Sequence, residues 1–236
     1  MNSKMSLIDE INNKIESLQN EEYSILETKE IDAFDQLNDG LSAIVTNATV
    51  LYINIKNIPF FTKNDGKRVA SKIYKTYQEV LSLFAKETNG VFACYTNSSF
   101  LVFYPESIKN IDTHISNSFK LSYIIGKVLP QKHPQFSGVD ISIGIDHGRI
   151  LGTKCYHGRL WYGTCIDKAI AISNMCTKPS YLGISRLIYS EIGEDLRTIT
   201  HRVMGFSKKE MAWQKGSYYF ENENKHYYST RHNLEI

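Results

Sequence analysis

The sequence lacks the features that mark membrane, secreted and nucleic-acid-binding proteins. Its longest apolar runs are far shorter than the roughly 20 residues that a membrane span needs, and its first ten residues contain no apolar signal-peptide core. None of the four cysteines shows CxxC spacing, so we expect reduced thiols. The formal net charge of +2 is too small to indicate nucleic acid or an anionic membrane as a partner. We therefore expect a cytoplasmic protein with a single core.

The sequence does contain an alternation of strand and helix patterns, which predicts an α+β domain. β-branched and aromatic runs predict strands, and apolar residues spaced three and four apart predict amphipathic helices. In order, the patterns predict a strand at 49–56, a helix at about 65–88, a hairpin at 90–104, a helix at about 105–130 and a strand at 139–145. This order is typical of the ferredoxin-like βαββαβ fold.

Shorter elements follow the predicted βαββαβ core. The patterns predict strand pieces at 150–152 and 159–162, a helix at 163–175, a strand at 181–184, a helix at 185–191 and a Tyr-rich hairpin within 216–230. The glycines between residues 144 and 163 do not have the spacing of a phosphate-binding loop. We expect them in turns, and a backbone cradle for phosphate is the alternative.

The N-terminal segment is predicted to form a separate helix at residues 7–20. Its apolar side chains form one stripe, which consists of Leu7, Ile8, Ile11, Ile15 and Leu18. The stripe either packs on its own domain or forms a dimer contact. We divide the chain into an N-terminal helix and linker at 1–45, a central domain at 46–192, and a strand-rich extension at 193–236 that packs on the same domain.

Five stretches between residues 49 and 191 resemble the catalytic domain of class III nucleotidyl cyclases. The matching stretches are Val50-Leu-Tyr-Ile-Asn-Ile-Lys-Asn57, Thr96-Asn-Ser-Ser-Phe-Leu-Val-Phe103, Gly144-Ile-Asp-His-Gly148, Trp161-Tyr-Gly-Thr-Cys-Ile-Asp-Lys-Ala-Ile-Ala171 and Tyr181-Leu-Gly-Ile-Ser185. They look most like the pyrimidine cyclases of the bacterial Pycsar antiphage system. The resemblance implies a ferredoxin-like class III cyclase homology domain with an N-terminal helix and a C-terminal β-rich extension, and a head-to-tail homodimer.

The sequence departs from the family at the positions where the resemblance places the chemistry. Asn54 and Asn97 stand where two aspartates hold the divalent ions, Mn²⁺ or Mg²⁺ in an active enzyme. Asp167 replaces the asparagine that orients the ribose, Ala171 replaces the arginine or lysine that stabilises the transition state, and Ala93 replaces the base-selecting lysine. Each lost carboxylate removes roughly 4 kcal/mol of attraction for an adjacent cation at an effective dielectric constant of about 20. Both halves of the composite family site are therefore altered.

Other side chains are candidates for nucleotide binding or for replacement metal ligands. Tyr52 and Trp161 can stack on a base, although core or interface packing is as plausible. The candidate cations for a phosphate are Lys56, Lys154, Arg159 and Lys168, each of which is also explained as a surface charge. Asp146, His147 and His157 are near one another in sequence, but their spacing is not that of a metal site.

These departures favour a catalytically degenerate pseudo-cyclase that binds a nucleotide or a protein partner in bacterial antiphage signalling. One alternative is an active pyrimidine cyclase that makes cyclic CMP or cyclic UMP from CTP or UTP. The other alternative is a purely structural dimerisation module. Whether the protein is an enzyme, and whether it uses a cofactor, stays open from the sequence.

Overall fold

The computed structural model describes residues 6–29, 37, 42–57, 64–96, 98–105, 108–155, 158–176, 182–203 and 206–230. The chain forms two compact units. The smaller unit contains residues 1–46 and 151–162, and the larger unit contains residues 47–150 and 163–236. Within the described ranges, no helix is long and apolar enough to cross a membrane.

The described chain contains helices and strands in the following order. The helices are α1 (Leu7–Asn20), α2 (Asn64–Glu87), α3 (Ile111–Tyr123), α4 (Leu129–Lys132), α5 (Thr164–Met175), α6 (Arg186–Glu191) and α7 (Glu194–Arg197). The strands are β1 (Ser24–Glu27), β2 (Ser42–Lys56), β3 (Val91–Thr96), β4 (Ser99–Tyr104), β5 (Asp140–Cys155), β6 (Gly158–Tyr162), β7 (Leu182–Ser185), β8 (Thr198–Val203), β9 (Phe206–Met211), β10 (Gln214–Phe220) and β11 (Glu223–Thr230).

The sheet of the larger unit has the strand order β10-β11-β7-β5-β2-β4-β3. Its four strands β5-β2-β4-β3 lie in the ferredoxin-like order, with α2 between β2 and β3 and α3 between β4 and β5 along the chain. β4 pairs antiparallel with both β2 and β3. β7 extends this sheet parallel to β5, and β11 pairs antiparallel with β7. The predicted α+β, ferredoxin-like fold is confirmed.

The main core lies on one face of this sheet. Alternate residues of β2 point to this face and pack with α2 and α3, and the buried cluster includes Leu51, Ile53, Ile55, Ile73, Tyr77, Leu81, Ile111 and Ile115. The intervening residues of β2 therefore point to the opposite face. That alternation places Tyr52, Asn54 and Lys56 together on the face opposite the main core.

Helix α5 lies against that opposite face and is held very close to β5. A Cβ atom added to Gly144 would lie 1.9 Å from the carbonyl oxygen of Ala169 and 2.6 Å from the amide nitrogen of Ser173. A Cβ atom at Gly148 would lie 3.2 Å from the Cβ atom of Cys165. Gly144 lies in the predicted strand and Gly148 lies in its continuation within β5, so neither forms a turn, and both allow α5 to approach the strand.

Several element boundaries differ from those predicted. β2 begins at Ser42 rather than at residue 49, and residues 150–152 belong to the long strand β5 rather than to a separate piece. Pro130 does not end the second core helix. It lies in α4, which continues the helix directly from a π-helical turn at Ile124–Val128, an irregularity of the kind that accompanies a proline inside a helix.

The smaller unit contains α1, β1 and β6. β1 pairs parallel with Ser42–Val45 of β2, and β6 pairs antiparallel with Leu151–Cys155 of β5. Ser6 and Asp9 form a capping box at the start of α1, but no residue of α1 is buried. Its apolar stripe is exposed, so packing of α1 on its own domain is not observed among the described residues. The dimer contact stays a prediction.

Candidate functional site

The candidate site lies where β2 ends on the face opposite the main core. Tyr52 is buried, and Asn54 and Lys56 are half-buried. The Tyr52 ring meets the ring of Tyr95 edge to face, with 5.8 Å between centroids and an interplanar angle of 86°. Burial raises the pKa of Tyr95, and the negative charge of Asp167 raises it further. The Asp167 carboxylate is therefore near this pair of aromatic rings.

The β3–β4 turn lies beside the end of β2, as the hairpin pattern predicts. Asn54 is paired with Ser99 in the strand register, and the Ile55 N–H donates to the Ser98 carbonyl at 2.9 Å. The hydroxyl oxygens of Thr96 and Ser99 are 2.5 Å apart. Asn97, the second predicted metal position, lies outside the described residues.

Ala93 and Tyr95 both lie on β3, two residues apart. Ala93 is half-buried and is paired with Leu101 of β4. The strand register shifts between Cys94 and Thr96, so regular alternation does not fix the direction of Tyr95. Its ring contact with Tyr52 is what places it at the candidate site. Tyr95 was missing from the predicted site because the family motif singles out only the position of Ala93.

Lys56 caps helix α5 rather than pointing to open solvent. Its Nζ donates to the Ser173 and Cys176 carbonyl oxygens, both at 3.4 Å, at the C-terminal end of α5. A cation there satisfies terminal carbonyls and interacts favourably with the helix dipole. Burial lowers the pKa of Lys56, although the nearby Cys176 thiol and Asp140 carboxylate oppose the shift. Lys56 is thus used in holding α5.

The altered family positions on α5 lie four residues apart and share one side of the helix. Asp167 is exposed and Ala171 is half-buried. Lys168 lies next to them in sequence, and its charge acts on the carboxyl group of Asp146. Trp161 belongs to the smaller unit, where it is buried on β6 and paired with Gly152.

Asp146 and His147, two of the residues considered as replacement metal ligands, do not point to one site. Asp146 and His147 are adjacent in β5, so their side chains point to opposite faces. Asp146 is hydrogen-bonded to the Ser185 hydroxyl, and His147 Nδ1 is 3.1 Å from Thr49 Oγ1. The His157 side chain lies outside the described residues. Among those that are described, no three His, Cys, Asp or Glu side chains form a group that could hold a metal ion.

Known proteins match this chain in structure. No protein-family model matches the sequence, and no curated protein matches it. The guanylyl cyclase Cya2 superposes with a TM-score of 0.61 at 10% identity, over 79% of this chain and 92% of that one. The adenylyl cyclase CyaB from Pseudomonas aeruginosa gives a TM-score of 0.59 at 14% identity, over 80% of this chain and 95% of that one. The chain has the class III nucleotidyl cyclase fold.

A third structure with the class III cyclase fold is a class III adenylyl cyclase-like ATP-binding protein from Pseudomonas aeruginosa. It gives a TM-score of 0.62 at 12% identity, over 82% of this chain and 44% of that protein. At such low identities the likeness establishes the class III cyclase fold, and the chemistry depends on the residues at the site.

Proposed function

We propose that this class III cyclase homologue binds a nucleoside triphosphate without cyclising it. The supporting observation is the combination of a neutral side chain at Asn54, a methyl group at Ala171 and a carboxylate at Asp167. In a cyclase, metal ions activate the attacking 3′-hydroxyl and neutralise the charge that develops on the phosphate. Asn54 can offer an amide oxygen to Mg²⁺ but no negative charge.

The side chains on α5 also argue against transition-state stabilisation. Positioned donors that meet developing charge account for a large part of the rate in phosphoryl transfer. Ala171 has no donor, and the exposed carboxylate of Asp167 has the same sign as a triphosphate. A cyclisation reaction at this site would therefore lack both a charged metal ligand at residue 54 and a cation at residue 171.

Nucleotide binding requires fewer positioned groups than catalysis does, and the described residues supply some of the groups that binding requires. The Tyr52–Tyr95 pair offers an aromatic surface for a base, and the Asp167 carboxylate can accept hydrogen bonds from sugar hydroxyls. One protein with the same fold is described as ATP-binding. The catalytic core of a rhodopsin-guanylyl cyclase with converted specificity was solved with ATPαS, and the guanylate cyclase domain of RhGC from Catenaria anguillulae was solved with GTP. A role in antiphage signalling, a preference for CTP or UTP and homodimer formation rest on the sequence resemblance.

The deciding experiment measures binding and turnover together. The purified protein is titrated calorimetrically with ATP, GTP, CTP and UTP in the presence of Mn²⁺, and the same mixtures are analysed for cyclic products by mass spectrometry. We expect binding of at least one nucleotide and no cyclic product above a heat-inactivated control. A cyclic CMP or cyclic UMP product would instead establish the active pyrimidine cyclase, and no binding at all would favour the structural module.

A matched pair of variants tests the site itself. Tyr95→Ala removes the exposed ring that contacts Tyr52, so it should weaken nucleotide binding about three- to tenfold, as expected for the loss of one aromatic contact. Tyr219→Ala removes a 73% exposed tyrosine from β10 and should leave the Kd unchanged. Equal effects of the two substitutions would place the nucleotide elsewhere.

A further inference from the structure

A separate cavity of about 330 Å³ lies in the larger unit, near α5, the start of α6 and the β10–β11 hairpin. It is lined by polar and charged groups, and those used below are Asp146, Lys168, Ser185, Arg186, Tyr218 and His226. Its volume is at the lower end of the roughly 300–1,000 Å³ that is typical of small-molecule sites. The cavity therefore has the size of a site for a small metabolite.

Asp146 lies deep in this cavity, where its side chain is only 2% exposed. Burial raises the pKa of its carboxyl group, while the Ser185 hydroxyl, the His147 backbone and the charge of Lys168 act in the opposite direction. Ser185 is itself fixed, because its Oγ accepts from the Ile188 N–H at 3.3 Å and caps α6. Asp146 thus attracts the Lys168 ammonium towards the cavity while its own hydrogen bonds are satisfied.

The cavity wall offers several hydrogen-bond donors to a ligand. An ammonium group has three donors, so an interaction of Lys168 with Asp146 leaves donors for a ligand. Burial and the charge of Asp146 raise the pKa of Tyr218 to about 12, which keeps its hydroxyl protonated at neutral pH. His226 Nδ1 is buried and has no hydrogen-bond partner within the described part of the chain. A buried polar atom of this kind is costly unless something binds it.

The charges around the cavity favour an anion. Three cationic side chains line it, against two carboxylates. Lys225 and Glu223 bond directly to each other, so the other charged side chains of the lining are Lys168, Arg186 and Asp146. Arg186 is exposed at the start of α6, and a guanidinium group presents a planar fork of donors that matches an oxyanion.

We propose that this cavity binds the oxyanion group of a small metabolite, a phosphate or a carboxylate, through Lys168, Arg186 and His226. Asp146 is a positioning residue whose charge attracts the Lys168 ammonium. The site is distinct from the proposed nucleotide site, since its lining includes neither Tyr52, Asn54 nor Asp167. It would make the protein responsive to a second small molecule.

The test uses the full chain, with inorganic phosphate and acetate as probes. Histidine ring signals are recorded by NMR during each titration, and the His226 signal is assigned from the His226→Gln variant. We expect a saturable shift of that signal with at least one probe, and the better probe identifies the class of oxyanion. The absence of a saturable shift with both probes would overturn the proposal.

Two variants and a matched control test the specific contacts. Arg186→Gln and Lys168→Gln should each weaken binding of the better probe at least tenfold, as expected for the loss of a charge-assisted hydrogen bond. Lys215→Gln removes an exposed cation from β10 outside the cavity lining and should change the Kd less than twofold. An equal loss of affinity in the control would mean that the probe is attracted by the surface charge as a whole, which would overturn the proposed binding site. If Lys168→Gln fails to fold, Arg186→Gln and the wild-type titration still test whether the cavity binds the oxyanion.

A competition experiment separates this proposal from the proposed nucleotide function. Saturating ATP, GTP, CTP or UTP should leave the phosphate-dependent or acetate-dependent shift of His226 in place. Displacement of the probe by a nucleotide would show that the cavity is part of the nucleotide site and would overturn a separate one. Nucleotide binding with no response of His226 to either probe would leave the nucleotide function standing and remove only this inference.

Discussion

Substitution of Gly144 by alanine should loosen the attachment of α5 to the sheet. The added methyl group would lie 1.9 Å from the Ala169 carbonyl oxygen, whereas ordinary van der Waals contact begins at 3.4 Å. The obstacle is helix backbone, which cannot rotate away as a side chain can, so the whole helix has to move. Overpacking typically costs about 1–3 kcal/mol, and we expect a loss in the free energy of unfolding at the upper end, about 3 kcal/mol.

Urea unfolding, followed by far-UV circular dichroism, measures this loss from the shift of the midpoint. Gly126→Ala is the matched control, because a Cβ atom there would meet nothing within 4 Å. The control should remain within about 1 kcal/mol of the wild type, and a small gain is expected from helix propensity. If Gly144→Ala unfolds within about 0.5 kcal/mol of the wild type, α5 does not pack on β5 as described.

Three further predictions concern pH and assembly. Burial raises the pKa of Asp146 above its usual 3.8. The contribution of this carboxyl group to stability therefore falls as the pH rises from 3.8 through its raised pKa. Asp146→Asn should therefore gain stability relative to the wild type as the pH rises above about 4, and urea profiles that stay parallel with pH would contradict this. Burial lowers the pKa of His147 below 6.5, so stability should fall below about pH 6.5, and by less in His147→Gln. The double variant Ile11→Glu, Ile15→Glu should leave the far-UV circular dichroism spectrum unchanged, because both side chains are about half exposed within a single chain. With α1 as the predicted dimer contact, this double variant should sediment as a monomer where the wild type sediments as a dimer. A variant that sediments like the wild type would exclude α1 from the interface.

The fold could be predicted largely because its core strands and helices have clear local periodicity. Leu51, Ile53 and Ile55 alternate with polar or aromatic neighbours and occupy one buried face of β2, as a strand pattern predicts. The close approach at Gly144 was missed because a single sequence does not distinguish a glycine in a turn from one beneath a helix. The long strand β5 was divided in the prediction because its glycines interrupt the apolar alternation.

The candidate site was less predictable because it depends on contacts between distant segments. Lys56 was considered as a phosphate ligand, yet it caps α5 at Ser173 and Cys176, more than 115 residues away in sequence. The oxyanion cavity combines Asp146 with residues of the C-terminal hairpin, about 80 residues later. Local periodicity contains no information on such pairings. The family motif, in contrast, indicated which positions of β2 and α5 lie on the site face.

Helix α5 explains how the cyclase fold can persist while the residues of the family's chemistry change. Its buried side comprises Cys165, Ile166, Ala169, Ile172 and Ser173, and Gly144 and Lys56 fix it to the sheet. Asp167 is exposed and lies outside that buried set, whereas the half-buried Ala171 packs against a small cluster formed by Ile172, Cys176 and Tyr218. Restoring Asn at residue 167 should therefore be tolerated by the fold, whereas Arg at residue 171 should lower the free energy of unfolding by about 1–3 kcal/mol, as overpacking does. Any cyclase activity that then appears can be attributed to the restored side chains and not to a repaired structure.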